Sequence, residues 1–318
     1  MQTQPKQKTQ LKGVIILLLT ALIWGVAFVA QSAGMDDVGP LTFSGTRTLL
    51  GAIVLLPVIL IRDRTAMKKM TPEQITDKKS ADKKAIINGC VLGLVFCVAT
   101  NTQQYAFLDS APGKIAFITA LYIFFVPLLG LFIKKKVPLV TWICVVFGLI
   151  GLYFLCIDPA NLGAINKGDL LAIICSVIFA VHILLIEKFA PDVDGIKLSC
   201  IQFAVAGVIS CILMFIFEDP QIAAIKSALI PILYAGILSC GLAYTFQIAG
   251  QKYTEATVAS LLLCMESVFG VIASAIILHD ILAPREIFGC AIMFAAIILS
   301  QFSDILTKKM KQRKKPQM

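Results

Sequence analysis

Charged residues are scarce in this sequence. Asp, Glu, Lys and Arg make up 15% of its 318 residues, whereas they make up about 25% of a typical soluble protein. Hydrophobic residues account for 58%, the mean hydropathy is +0.88, and the charges lie between long apolar stretches. This composition is typical of an integral membrane protein and argues against a soluble globular domain.

Catalytic and cofactor signatures are also missing. The chain contains no H-E-x-x-H, G-x-S-x-G, Walker A or G-x-G-x-x-G motif, so we predict that it is not an enzyme and holds no cofactor. Its ten cysteines lie in apolar stretches and form no C-x-x-C pair, so we predict no metal site. The net charge of +9 does not indicate nucleic-acid binding, because most basic residues flank apolar runs.

Ten apolar segments are each long enough to cross a bilayer, which takes about twenty residues per helix. They lie at roughly 13–33, 41–61, 86–108, 113–133, 138–157, 168–187, 197–217, 228–250, 254–278 and 284–304. The first follows three lysines but lacks a convincing cleavage site, so we interpret it as a span rather than a signal peptide. The sequence therefore predicts an all-α integral membrane protein with ten transmembrane helices.

Positive charges lie mostly on one side of these spans. With the N-terminus in the cytoplasm, 23 of the 28 Lys and Arg residues fall in cytoplasmic segments. This bias predicts a multi-pass protein of the cell (plasma or inner) membrane with both termini cytoplasmic. The polar segment 62–84 is predicted to be a cytoplasmic loop, and 305–318 a basic cytoplasmic tail that lies near anionic lipid.

The two halves of the chain resemble each other. Gln104 and the tight turn after it match Gln247 and the turn that follows there. We predict two repeats, 13–157 and 168–304, of five helices each. Because five is an odd number, the second copy enters the membrane upside down relative to the first. Inverted repeats are typical of secondary transporters, whose substrate site lies near the middle of the membrane between the repeats.

Several short motifs follow one another in the order of a known family. They are Trp24-Gly25 in the first helix, Pro40 and then Arg47 in the second, the stretch from Ala111 to Pro127 in the fourth, and Glu266-Ser267-Val268-Phe269 in the ninth. Together, over about residues 13–302, they resemble EamA-type transporters of the drug/metabolite transporter superfamily. The resemblance implies a ten-helix fold around a central cavity and transport of small metabolites or drugs, with amino acids as one suggested class.

The sequence departs from that family pattern in two places. Ser267 stands where the family has a proline, which implies a straighter ninth helix. Lys134, Lys135 and Lys136 stand where the first repeat often has an acidic residue, which puts an acidic gate at that position in doubt.

Glu266, Arg47 and His182 lie within predicted spans, where an unpaired charge is costly. Glu266 requires a partner, a wet cavity or a bound proton; it is either a proton-coupling site or a structural hydrogen-bonding group. The guanidinium of Arg47 suits a substrate carboxylate or an acidic partner, although the side chain could instead extend to the membrane interface. His182 titrates near neutrality and is either a coupling or binding group or a buried packing residue.

Amides, aromatic rings and one lysine complete the predicted substrate path, with packing, interfacial anchoring or interhelical hydrogen bonds as the alternatives for each. The candidate substrate-binding or gating residues are Glu266, Arg47, Gln104, Gln247, His182, Asn101, Trp24, Tyr122, Tyr244 and Lys114. We expect the first, third, fourth, sixth, eighth and ninth helices to line the cavity.

These patterns together predict a secondary transporter that exports a small-molecule substrate such as an amino acid or a drug. We expect alternating access, contact with membrane lipid, and protons as a candidate coupling ion. Small residues at Ala291-x-x-x-Ala295 allow close helix packing or a homodimer. Two alternatives are a receptor or scaffold that uses segment 62–84, and a membrane enzyme for lipid-linked substrates, which would need paired acidic or histidine groups.

Overall fold

The computed structural model describes residues 4–68, 70–110, 112–157, 165–277 and 283–301. Its helices are α1 (Gln4–Gly34), α2 (Pro40–Met67), α3 (Pro72–Ala106), α4 (Pro112–Ala120 and Tyr122–Phe132), α5 (Leu139–Cys156), α6 (Lys167–Phe189), α7 (Gly195–Phe217), α8 (Leu229–Gln251), α9 (Ala256–Leu263 and Met265–Ile277) and α10 (Pro284–Gln301). A short helix, Ile222–Ser227, precedes α8. These ranges contain no strand.

Nine of the helices in the described ranges, α1 to α9, are long and apolar enough to cross a bilayer, with mean hydropathies of 1.7 to 2.6. Their outward side chains are large and apolar; Phe132, Phe215 and Ile230 are mostly exposed. Such a surface is stable against lipid rather than water. The chain is therefore a multi-pass membrane protein. The helix α10, of 18 residues, packs along α5.

The polar segment 62–84 is folded as two helical ends rather than as an open loop. The helix α2 continues to Met67, and α3 begins at Pro72 after a short turn. Thr71 and Gln74 form a reciprocal capping box, and proline is well suited to the first helical position. These local signals extend α3 well beyond its apolar part. The predicted tail 305–318 lies outside the described residues.

Ion pairs tie this helical extension to α7. The ammonium of Lys197, at the start of α7, lies 2.6 Å from a carboxylate oxygen of Asp63 in α2 and 2.5 Å from one of Asp82 in α3. Lys78 binds the same two carboxylates at 2.9 and 3.0 Å. We call the end of the bundle that carries this cluster the basic end.

Helix packing follows a paired pattern. The helix α2 packs most extensively on α7, and α5 packs on α10. The helix α1 packs against α8 and α9, whereas α6 packs against α3 and α4. The first helix of each half of the chain is thus inserted into the other half. Gly89 and Gly93 of α3 lie directly against Ile201 and Val205 of α7, so this G-x-x-x-G motif serves packing within the chain.

Acidic side chains bind α2 to α7 at each end of this helix pair. At the end of α7, the Glu218 carboxylate accepts hydrogen bonds from Leu41 N (2.8 Å), Thr42 N (2.8 Å) and Thr42 Oγ1 (2.7 Å) in the first turn of α2. At the basic end, Asp194 caps the first turn of α7 and pairs with Arg62 of α2. Carboxylates are favoured at helix N-termini because the orphan N–H groups there need acceptors.

A glycine brings α1 and α9 into backbone contact beside the centre of the bundle. A Cβ atom at Gly25 would lie 2.6 Å from Gly270 N and 2.7 Å from Glu266 O, which is closer than any real Cβ contact allows. Any larger residue must therefore push the two helices apart. Because Trp24 and Glu266 flank this contact, it sets the separation of their side chains.

We predict that Gly25→Ala lowers the free energy of unfolding by about 1–3 kcal/mol, because overpacking forces backbone shifts. Thermal unfolding of the purified protein measures the effect. The control is Gly130→Ala in α4, where a new Cβ would meet only Lys135 side-chain atoms at 3.8 Å and where alanine favours the helix. Equal stability of Gly25→Ala and the control would contradict the close contact.

Candidate binding cavity

A cavity lies at the centre of the described helices, with an empty volume of about 500 Å³ that includes space open to solvent. It is lined by Trp24, Ala27, Phe28 and Gln31 of α1, Arg47 of α2, Gln103 of α3, Thr119 and Tyr122 of α4, Phe179 and Ile183 of α6, Ser239, Tyr244 and Gln247 of α8, and Leu263 and Glu266 of α9. All six helices that we expected to line the cavity contribute to its wall, and α2 adds Arg47.

Two interrupted helices meet at one side of this cavity. Both α4 and α9 lose regular helical structure for one residue, at Leu121 and at Cys264. The two interruptions touch, because Cys264 Sγ donates to Ala120 O at 3.6 Å. Pro127 lies inside the second segment of α4 rather than at the interruption. Broken helices at mid-membrane are a recurring feature of transporter binding sites.

Glu266 follows the interruption in α9 and forms the acidic side of the cavity. It is 5% exposed, and Tyr122 Oη donates a hydrogen bond to its Oε1 at 2.9 Å. No cation lies within ion-pair distance of its carboxylate among the described residues. Because an ionised carboxylate is costly away from water, the cavity has to supply either solvent, a proton or a ligand donor.

Arg47 forms the basic side of the cavity and is 4% exposed. One terminal nitrogen, Nη1, donates to Gln31 Oε1 at 2.9 Å, and the other, Nη2, donates to Thr100 Oγ1. The Phe43 ring lies 5.4 Å from the guanidinium carbon. The Nε–H group has no partner among the described residues.

Aromatic rings form the wall between these two polar groups. The Trp24 and Tyr244 rings lie 4.4 Å apart, and Tyr244 also packs edge-on against Phe96 and Phe203. The indole N–H of Trp24 has no partner in the described part of the chain. The middle of α8, Tyr234–Tyr244, has the wider turns of a π-helix, a form that often occurs at functional sites.

Four of the ten candidate residues do not line the cavity, and three of these four are buried between helices. His182 is fully buried behind Tyr244, and its Nε2 lies 3.0 Å from Gln202 Oε1. Gln104 is also fully buried, whereas its neighbour Gln103 reaches the cavity. Asn101 Nδ2 donates to Ser210 Oγ of α7 at 2.8 Å. The structure therefore places these groups between helices. The cavity is lined by the other candidates: Trp24, Arg47, Tyr122, Tyr244, Gln247 and Glu266.

Lys114 lies away from the cavity as well, at the end of the bundle opposite the basic end. Its ammonium lies 2.6 Å from Asp169 Oδ2, and Ser110 Oγ donates to Asp169 Oδ1 at 2.8 Å. The Asp169 side chain is 3% exposed. These contacts join the α3–α4 turn to the start of α6. Sequence reasoning missed Asp169, although the capping box that it forms with Asn166 is a local signal.

At the basic end, α8 is held to α6 and to the α6–α7 turn by bonds to backbone carbonyls. Gln251 Nε2, at the end of α8, donates to Ile183 O of α6 at 3.0 Å. The neighbouring Lys252 Nζ donates to Val193 O in the α6–α7 turn at 2.8 Å. Backbone carbonyls, and not carboxylates, thus receive both bonds. The ion pair between Lys135, in the α4–α5 turn, and Glu187, near the end of α6, also lies at this end, so both ends of the bundle contain charged contacts.

The chemistry of the cavity fits the binding of a small organic molecule. Within the described residues, no three His, Cys, Asp or Glu side chains come together in a way that could hold a metal ion. The cavity instead offers one acid, one base, several amides and hydroxyls, and a large aromatic surface. Small-molecule sites of this kind are mostly apolar with a few placed polar groups.

Comparison with known proteins assigns the family. The model of the EamA-like transporter family matches residues 11–157 and again residues 166–302. The chain belongs to the EamA-like transporter family. The family model thus matches each half of the chain separately.

Relatives of this EamA-like protein are named as transporters. An uncharacterized transporter of Archaeoglobus fulgidus is 22% identical over 286 residues, which are 89% of this chain and 83% of that protein. The uncharacterized transporter YoaV of Bacillus subtilis is 26% identical over 212 residues, 65% of this chain and 68% of that protein. Family and relatives together make this chain a membrane transporter.

A solved structure confirms the fold of this family member. One crystal structure superposes with a TM-score of 0.74 at 16% sequence identity, covering 94% of this chain and 98% of the other. At this identity the likeness concerns the fold alone.

We predict that Lys114 and Asp169 are coupled by about 1–3 kcal/mol, because removing either partner leaves the other charge poorly compensated. The measurement is a double-mutant cycle on thermal unfolding with Lys114→Met and Asp169→Asn. The control cycle uses Arg62→Gln and Asp194→Asn, since these side chains are 41% and 34% exposed and should couple by less than about 1 kcal/mol. Coupling at Lys114–Asp169 no larger than the control would contradict a closed charged contact.

Proposed function

We propose that this protein is a secondary transporter that exports small metabolites, such as amino acids or drugs, by alternating access. The observation that carries the proposal is the central cavity, which places Glu266 and Arg47 on one aromatic chamber in the middle of the bundle. Its wall combines aromatic rings with a few polar groups, which is the usual make-up of small-molecule sites.

The motion in this proposal is the rocking of two inverted five-helix repeats, 13–157 and 168–304, with α10 as the tenth span. Contacts between the first helix of each repeat and the other repeat support this motion. A Cβ at Gly13, in α1, would lie 2.5 Å from Thr254 Oγ1 in the α8–α9 turn, and a Cβ at Gly168, in α6, would lie 2.6 Å from Ala106 O before the α3–α4 turn. Each repeat thus docks its first helix at the same place on the other repeat, at opposite ends of the bundle.

The two closed ends serve as gates in this scheme. The basic end faces the cytoplasm, together with both termini, in agreement with the bias of positive charge. There, Gln251 and Lys252 hold α8 against α6 and its following turn. At the outer end, Lys114 and Asp169 hold the α3–α4 turn against α6. Opening either gate breaks those bonds and leaves the α2–α7 pair as the common support.

Glu266 couples transport to protons in this proposal. Its carboxyl lies at the cavity wall beside the helix interruptions, where it can exchange a proton with solvent in each open state. A protonated and an ionised form differ by a full charge in a low-dielectric site, so each favours a different arrangement of the helices. The cell membrane is the proposed location. The exposed small residues Ala291 and Ala295 of α10 offer a face for a homodimer.

We expect Glu266→Gln to lower proton-driven transport roughly tenfold or more, which corresponds to about 1.4 kcal/mol. The assay uses inverted vesicles, a substrate found by thermal-shift screening of metabolites, and an imposed pH gradient. Glu73→Gln, an exposed carboxylate at the start of α3, is the matched control and should leave the rate unchanged. Unchanged rate and unchanged pH dependence in Glu266→Gln would remove Glu266 from the coupling mechanism.

A further inference from the structure

Arg47 is a buried cation that lacks an anionic partner. Both of its terminal nitrogens donate to neutral oxygens, Gln31 Oε1 and Thr100 Oγ1, and no carboxylate lies within ion-pair distance in the described part of the chain. Neutral partners satisfy hydrogen bonds but leave the charge uncompensated, which is costly for a side chain that is 4% exposed. A ligand anion would remove this cost.

The unpaired donors around Arg47 indicate where such an anion would lie. The two bonds to Gln31 and Thr100 fix the guanidinium plane and leave Nε–H free. The indole N–H of Trp24 is also free, and both side chains line the same cavity. One unpaired N–H on the cation itself and a second on the wall of the same cavity match a group with acceptor oxygens and a negative charge.

The charges of the cavity limit that group to a single negative charge. Arg47 is the one cationic residue in the described lining, and Glu266 lies in the same wall, where it would repel a second negative charge. Arg47 would therefore balance only one of the two negative charges of a phosphate dianion. The aromatic rings of Trp24 and Tyr244 require an organic body rather than a small hydrated ion.

We propose that Arg47 is the subsite for a carboxylate group of the transported molecule, and that Gln31 and Thr100 are positioning residues that orient the guanidinium. This inference rests on the proposed transport function and specifies one chemical feature of its substrate. Transport of a molecule without a carboxylate, independent of Arg47, would overturn the subsite while leaving the transport function standing.

The first test needs no variant and uses matched probe pairs on the purified protein in detergent. Acetate is compared with acetamide, and benzoate with benzamide, because each pair differs in charge but little in shape. A carboxylate at a few times its dissociation constant should raise Tm by roughly 2–4 °C, and its amide should raise Tm by less. Equal shifts within both pairs, or no shift with either carboxylate, would overturn the proposal.

The second test assigns the carboxylate effect to Arg47. Arg47→Gln should abolish the difference between benzoate and benzamide, whereas Arg62→Gln removes a charge from the far end of the same helix and should preserve it. Thr100→Val should reduce the difference between the Tm shifts produced by benzoate and benzamide. Thr100→Ser should keep that difference, because a hydroxyl is enough to orient the guanidinium. Retention of the full difference in Arg47→Gln would show that the anion binds elsewhere and would overturn the proposal.

Discussion

The structure depends on how a membrane bundle satisfies polar groups that lipid cannot hydrate. Backbone groups are paired within helices, but a charged side chain in the middle of the bundle needs its own partner or a wet space. Here Glu266 and Arg47 are held by neutral groups, Tyr122 on one side and Gln31 with Thr100 on the other. Their charges are therefore left for the contents of the cavity to balance.

The contrast between the centre and the ends of the bundle has the same origin. At the ends, acidic groups are fully engaged: Glu218 caps α2, and Asp169 binds Lys114 and Ser110. These contacts stabilise one arrangement of the helices and would be lost in the proposed opening of an end. At the centre, the polar groups keep free donors and acceptors. A ligand can pair with the unpaired polar groups at the centre of the bundle. If it binds one arrangement of the helices better than another, it shifts the protein toward that arrangement.

Apolar periodicity and composition predicted nine of the spans, because a helix in lipid needs a long apolar run whatever its neighbours are. Trp24 and Glu266 were among the candidate path residues and line the cavity, although the sequence left packing or a structural hydrogen bond as the alternative for each. The family resemblance was confirmed by the match over both halves of the chain.

Long-range packing limited the rest of the prediction. Which face His182 presents depends on the rotation of α6 against Gln202 of α7, and nothing in the local sequence of α6 specifies that rotation. Glu218 caps a helix that begins far earlier in the chain, so its role has no local signature. The helical ends within 62–84 carried such a signature in Thr71 and Gln74, but the density of charge there favoured the loop interpretation.

The most direct test of alternating access is a pair of distances measured by electron spin resonance in the same preparation. One pair of labels, at Leu108 and Ile165, spans the outer end; the other, at Lys188 and Tyr253, spans the basic end. All four side chains are exposed. The account predicts that a transported substrate or a change of pH lengthens one distance while it shortens the other. Two distances that stay fixed, or that lengthen together, during demonstrated transport would contradict it.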